Sequence, residues 1–410
     1  MVCLAATLAL GAPACSGDSA GSLDAGGPAR DASTMDASRD AAVVLDAGTD
    51  AGAPIDAGRD AGRDAGRDAG TDAGPDAAVD AGHPPRLVTC ADSPPPGATL
   101  PDPPPAYSGG TCPALVPGTN TIRTSAHDRT FLLIVPTDLM PGETPGVAFL
   151  WHWLGGDAAD FRDTAMVQDA VNRFRFIAVI PEARGDLTFK WPYLTADPGC
   201  AIDLTCDCDC RFDEEVRFFD DMLACVTRAY TVNTSCVSSV GVSAGALWTS
   251  QLGAVRSTHL SSILVLSGGT GTGTPAIDPA TTVRPWAGAA HHMPAFVLWG
   301  GSLDFCFLFF ESTSQRLEAA LAADGHFVEE CVHNCMHSVP PFDPWPGGGQ
   351  FDIMWDFVMK HPYWLDDGES PYLATGLPAA TPDWCGIGVG SATPRTGACP
   401  GTTFFLGSCR

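Results

Sequence analysis

The chain is short of basic residues: 22 Lys and Arg face 48 Asp and Glu, giving a net charge of −26. A polyanion finds little counter-charge on such a protein, so nucleic acid is disfavoured as a partner. Beyond its first residues the chain also has no run of about 18 apolar residues, which excludes a further membrane-spanning helix. Residues 16 to about 85 have almost no large apolar side chains. Such a region cannot bury enough surface to offset the entropy of ordering it. Cysteine, by contrast, is plentiful. Sixteen in 410 residues are too many for a reducing cytosol and point to disulfides in an oxidising space.

The N-terminus agrees with that compartment. Val2–Ala14 is a short apolar segment ending in Ala12-Pro13-Ala14-Cys15 and followed by small polar residues. It resembles a bacterial lipoprotein signal over residues 1–15, with Cys15 as the lipidated residue, although no Lys or Arg precedes the apolar stretch. The expected location is therefore secreted or cell-surface, with a lipid anchor in the outer membrane as the tethered version. Asp-Ala-Gly then recurs every four residues from Asp56 to Gly70. Calcium loops built on such aspartates need interleaved large apolar residues, which are missing, so the repeat is read as an extended stalk. Pro94-Pro95-Pro96 and Pro103-Pro104-Pro105 stiffen its continuation. The linker is assigned to residues 16–117, with Cys90 and Cys112 placed to pin its last part.

From Gly118 the pattern changes to apolar strands alternating with amphipathic helices. Strands are expected at Arg129–Pro136, Gly146–Trp151, Phe176–Pro181, Cys236–Val240, Ile263–Leu266, Ala295–Trp299 and Phe327–Cys331. Helices are expected at Ala158–Ala170, Asp213–Ala229, Thr313–Ala323 and Phe351–His361, and one more after Ser243. Val216, Phe219, Met222, Leu223 and Val226 mark one helical face. The alternation implies an α/β fold with a doubly wound, mostly parallel sheet, whose site lies at the carboxyl ends of its strands. The catalytic domain is assigned to residues 118–362 and a cysteine-containing extension to 363–410.

Gly241-Val242-Ser243-Ala244-Gly245 sits between an expected strand and an expected helix. That context makes G-x-S-x-G a nucleophile elbow: the serine occupies a sharp, strained turn that closes only with very small neighbours, and the helix start offers N–H groups to an oxyanion. Its partners should follow later strands. Asp304 does so, after Ala295–Trp299 and the loop Gly300-Gly301-Ser302-Leu303, and is placed to fix an imidazole. Two histidines, His333 and His337, compete as base on the loop after the last strand. His291, His292 and His326 lie at the opposite strand ends. Trp151, Trp153, Trp191 and Trp345 fall on loops or strand ends, where they either line a cleft or pack as core. Cys200, Cys206, Cys208 and Cys210 lack the usual C-x2-C spacing of a zinc site, so no metal is assigned. Cys225 with Cys236, and Cys306 with Cys331 or Cys335, are plausible pairs.

The segments Phe149–Phe161, Ile180-Pro181, Asp213–Phe218, Gly241–Ala246, Trp299–Asp304 and Cys331–Pro340 together resemble the secreted polyhydroxybutyrate depolymerase and feruloyl esterase-like family of α/β-hydrolases, over roughly residues 120–362. The resemblance implies Ser243 as nucleophile, Asp304 as acid and His337 as base, with His333 the alternative. It also implies the backbone N–H groups of Leu154 and Ala244 as the oxyanion hole. Three positions depart from the family pattern. Trp153 replaces the first glycine of H-G-x-x-G, Met336 the glycine before the histidine, and Ala246 the second glycine after the serine. The function so implied is a serine esterase, monomeric and without a cofactor, that acts on an extracellular phenolic, sugar or polymeric ester. A binding protein on the same scaffold and a serine peptidase are the alternatives.

Overall fold

The computed structural model describes residues 87–197, 208–274 and 279–400. The signal segment with Cys15, the Asp-Ala-Gly repeat, and Cys200 and Cys206 of the cysteine-rich insert lie outside the described residues. The strands in chain order are β1 (Gly118–Thr124), β2 (His127–Ile134), β3 (Gly146–Trp151), β4 (Phe176–Pro181), β5 (Val237–Val242) and β6 (Ser262–Leu266). They continue with β7 (Ala295–Trp299), the two-residue strands β8 (Phe305–Cys306) and β9 (Leu308–Phe309), β10 (Val328–Val332) and β11 (Cys385–Ile387). The helices are α1 (Ala158–Thr164), α2 (Val167–Phe174), α3 (Cys208–Ala229), α4 (Ala244–Arg256), α5 (Phe310–Asp324), α6 (Asp352–Lys360) and α7 (Pro371–Thr375).

Nine strands make one sheet in the order β1-β2-β4-β3-β5-β6-β7-β10-β11. The six from β4 to β10 run parallel, and β1, β2 and β11 add antiparallel edges. Every residue of β3, β4, β6, β7 and β10 is buried, as expected where helices cover both faces. The two-residue period then divides each strand between two cores. Val147, Phe149 and Trp151 of β3 join Phe219 and Met222 of α3 and Trp248 of α4 on one face. Ala148 and Leu150 join Phe161 of α1, Val171 of α2 and Trp355 of α6 on the other. The antiparallel strands β1 and β2 alternate instead, with an exposed outer face on the edge strand β1 and a half-buried one on β2. This is the α/β-hydrolase fold. The chain steps from β3 outward to β4 and returns to β5 on the other side of β3, so the sheet's switch point lies at the carboxyl ends of β3 and β5.

Some expectations need correction. The helix expected over Ala158–Ala170 is two helices, broken at Met166 with φ 47°. One continuous helix would set Phe161 and Val167 about 120° apart around its axis, yet both belong to the same core. The C-terminal extension supplies β11, paired antiparallel to β10, which no alternating pattern announces in three residues. The cysteine pairs also differ. Cys236 bonds Cys90 and Cys225 bonds Cys112, rather than each other. Cys331 bonds Cys385 and Cys335 bonds Cys399, so neither is left for Cys306, which is itself disulfide-bonded, as is Cys210. The first two bridges pin the proline-rich segment, and Asp221 of α3 adds to them by accepting the Ser108 N–H and hydroxyl at 2.7 Å each.

The middle of β10 carries two acids, Glu329 and Glu330, one toward each core, both buried. Burial, with Asp356 nearby, pushes the Glu329 carboxyl up to about 8. Burial and the neighbouring Glu330 push Glu318 of α5 up to about 9. The folded chain therefore holds protons that the unfolded chain gives up near 4.5. Their stabilising effect is complete below about pH 4.5 and is lost as pH rises through 8 to 9. Chemical denaturation from pH 5 to 9 is expected to show falling stability. Glu329→Gln should flatten the slope and gain about 2 kcal/mol at pH 9. An unchanged slope in the variant would show that Glu329 is ionised in the fold.

Candidate active site

Ser243 stands between β5 and α4 with φ 55° and ψ −118°, a conformation that costs a non-glycine residue of the order of 1–3 kcal/mol. The elbow closes only because both flanking residues are glycine. A Cβ on Gly241 would lie 2.1 Å from the Gly245 carbonyl oxygen, and one on Gly245 would lie 2.0 Å from that of Trp151. Ser267, Phe307 and Met336 share positive φ values, so four of the eight such non-glycine residues described gather around this turn. Local strain concentrates here.

The later strands deliver the partners. His337, on the loop after β10, has Nε2 2.9 Å from the Ser243 Oγ and Nδ1 2.6 Å from Asp304 Oδ1. A carboxylate accepts, so Nδ1 carries the proton and Nε2 is left to accept from the serine hydroxyl. Phe310, the first residue of α5, stacks on the imidazole at 4.4 Å and 10° and holds its plane. Asp304 is fully buried. Its other oxygen accepts the Gly300 N–H and the Ser267 hydroxyl, each at 2.7 Å. Burial raises the Asp304 carboxyl, but the contacts from His337, Gly300 and Ser267 outweigh it and hold the group below its ordinary value. It stays ionised.

His333, the alternative base, is buried two residues before Cys335, and its Nδ1 accepts the Cys335 N–H at 3.1 Å. Burial pulls its pKa down to about 4, so it is neutral near pH 7. Its backbone N–H bonds the Trp299 carbonyl, which makes it an extension of the β10–β7 ladder. Sequence gave no reason to single out Ser267. Its signal is position: it directly follows β6, at the carboxyl end of a parallel strand, where site residues collect.

Leu154 and Ala244 both border a cavity of about 220 Å³ that also reaches Ser243. His152, just before them, has Nδ1 2.9 Å from the Trp153 carbonyl oxygen, which requires an Nδ1–H donor. That bond fixes the Trp153–Leu154 peptide plane and so the direction of the Leu154 N–H. Trp153 folds its indole over Gly156, where a Cβ would come within 2.6 Å of the ring. Its indole also borders a second cavity, of about 310 Å³. Trp151 and Trp191 are fully buried and meet edge-on at 5.1 Å, and Trp345 is partly buried, so the tryptophans do not form a shared aromatic cleft.

No family model matches the chain, and no curated protein matches it in sequence. Its fold recurs among solved structures. A serine-to-cysteine variant of pOPH in complex with DMSO superposes with a TM-score of 0.53 at 16% identity, covering 69% of this chain and 98% of that one. Native pOPH gives 0.51 at 17% identity, with coverages of 68% and 97%. Native sOPH gives 0.51 at 15%, with 70% and 98%.

Asp304→Asn would place an amide where the ring needs an acceptor, favouring the wrong tautomer in an otherwise intact site. Turnover of any substrate of this site should fall about 10⁴-fold, whereas His333→Gln should change it less than tenfold. Equal losses in the two variants would reverse the choice of base.

Proposed function

We propose that the chain is a serine esterase that hydrolyses carboxylic esters through an acyl-enzyme, acting in an oxidising, extracytoplasmic space. The observation that carries this reading is the continuous line of hydrogen bonds from Ser243 through His337 to Asp304 at a strained strand-to-helix turn. A structural serine has no use for such a line, and a capping serine would bond its own helix through its hydroxyl, which Ser243 does not do. The four described disulfides support the compartment. No helix among the described residues is long and apolar enough to cross a membrane.

In this mechanism His337 Nε2 takes the Ser243 proton as Oγ attacks the ester carbonyl. Asp304, kept ionised in its buried socket, stabilises the imidazolium without taking the proton. The N–H groups of Leu154 and Ala244 receive the tetrahedral oxyanion. The intermediate collapses as the His337 proton passes to the alcohol oxygen, which departs. Water then enters, gives its proton to His337, and releases the acid while Ser243 is reprotonated.

The test is a burst experiment on the full-length chain with p-nitrophenyl acetate, beside Ser243→Ala. One equivalent of p-nitrophenolate is expected in the burst from the wild type. The variant should lose the burst and at least about 10⁴-fold of the turnover. A folded wild type that turns over no ester would sink the reading in favour of a binding protein on a hydrolase scaffold.

A further inference from the structure

Ser243 lies where two cavities meet, and the two differ in which part of the machinery they touch. The 220 Å³ chamber is bordered by Leu154 and Ala244, and its walls include Tyr193, Leu194, Leu247 and Phe310. The 310 Å³ chamber is bordered by His337 and walled by Trp153, Phe161, Val339, Phe351 and Met354. Apart from His337, the described residues of neither wall include an ionisable acid or base from Asp, Glu, Lys, Arg or His.

Reaction geometry decides which half of an ester goes where. The alcohol oxygen must receive its proton from His337 Nε2, so the leaving group has to project on the side of that ring. The acyl carbon is bonded to Ser243 and its oxyanion points at Leu154 and Ala244, so with the leaving group on the His337 side the acyl substituent is left the other chamber. We infer that the acyl half enters the chamber walled by Leu194 and Leu247 and the alcohol half the chamber walled by Trp153 and Val339, so that the substrates are uncharged esters bearing an apolar group on each side. This rests on the esterase reading above. A carboxylate or ammonium in either chamber would be stripped of water with no counter-charge among the described lining residues to meet it. At about 30 Å³ per water-sized group, the chambers take roughly seven and ten non-hydrogen atoms. That corresponds to an acyl group near hexanoyl and an alcohol near nonyl. The departure at Trp153 then has a role: its indole is a wall of the alcohol chamber rather than a distortion of the oxyanion loop.

The test varies each half of the ester separately on the full-length protein. p-Nitrophenyl esters from acetate to decanoate vary the acyl group. Alkyl butyrates from ethyl to decyl, followed by acid release in a pH-stat, vary the alcohol. For the wild type, kcat/KM should rise about three- to fourfold per methylene and level off near hexanoyl and near nonyl. p-Nitrophenyl hemisuccinate should react at least about tenfold more slowly than the pentanoate. Ala196 and Val339 are exposed rim residues, one on each chamber, so enlarging them leaves the core untouched. Ala196→Trp should make the acyl series level off earlier and leave the alcohol series alone, and Val339→Trp should do the reverse. Thr282→Phe and Thr164→Trp repeat the test from other parts of the two rims. Crossed effects would overturn the assignment, and flat series or equal use of the hemisuccinate would overturn the chambers as substrate sites. Those results all presuppose turnover; a wild type inert toward every ester removes the esterase reading itself and this inference with it.

Discussion

The contact on which this molecule turns is backbone against backbone: Gly245 of the elbow pressed on the carbonyl of Trp151, the last residue of β3. No side chain fits between them. The approach ties the start of α4 to the end of β3, and so ties the turn that carries Ser243 to the loop that carries Leu154. The proposed nucleophile and the proposed oxyanion donor, from segments about ninety residues apart, thereby share one rigid junction. Each neighbouring strand end adds to it. Leu266 of β6 accepts the Ser243 N–H at 2.9 Å, and Leu298 of β7 accepts that of Ser267 at 2.6 Å. The sheet's main-chain hydrogen bonds hold the strain at these positive-φ serines, which neither could sustain alone.

The parts of this arrangement that sequence could announce are those with a short-range physical signature. Gly241 and Gly245 are readable because the turn's steric demand falls on adjacent residues. Asp304 is readable because a strand ends five residues before it and glycines follow. The strands β3, β4, β6 and β7 are readable as continuous apolar runs. What depends on long-range encounter is not. His333 and His337 are four residues apart on one loop, and only the tertiary structure determines that the first continues a ladder while the second turns toward Ser243. Ser267 was silent because a lone serine after a strand looks like any turn residue. Disulfide partners lie 54 to 146 residues apart, distances at which spacing carries no information. β10 is readable as a strand in spite of its two acids, but the proton that makes Glu329 tolerable there exists only after folding.

The positions that depart from the resembled pattern follow one logic: each puts a larger side chain where less was needed. Met336 holds φ 60° where glycine would rest without cost. It stands against Gly300, whose Cβ, if present, would lie 1.9 Å from the Met336 carbonyl oxygen. The space was conceded by the acid loop rather than by the base loop. Trp153 likewise leans on Gly156. Bulk at one residue is matched by its absence at a partner in contact, a compensation that no single motif position reveals.

The base loop has a further property that follows from its clamps. Cys331 and Cys335 bracket the strand end from which His337 is presented, and their partners, Cys385 and Cys399, lie 54 and 64 residues downstream. A chain that emerges from its N-terminus exposes Ser243 first, then Asp304, then His337, and only afterwards the cysteines that lock the loop in place. Assembly of the hydrogen-bonded line is thus scheduled last, after both late synthesis and oxidation. Until Cys331 and Cys335 are oxidised, the loop that presents His337 lacks both of its covalent clamps.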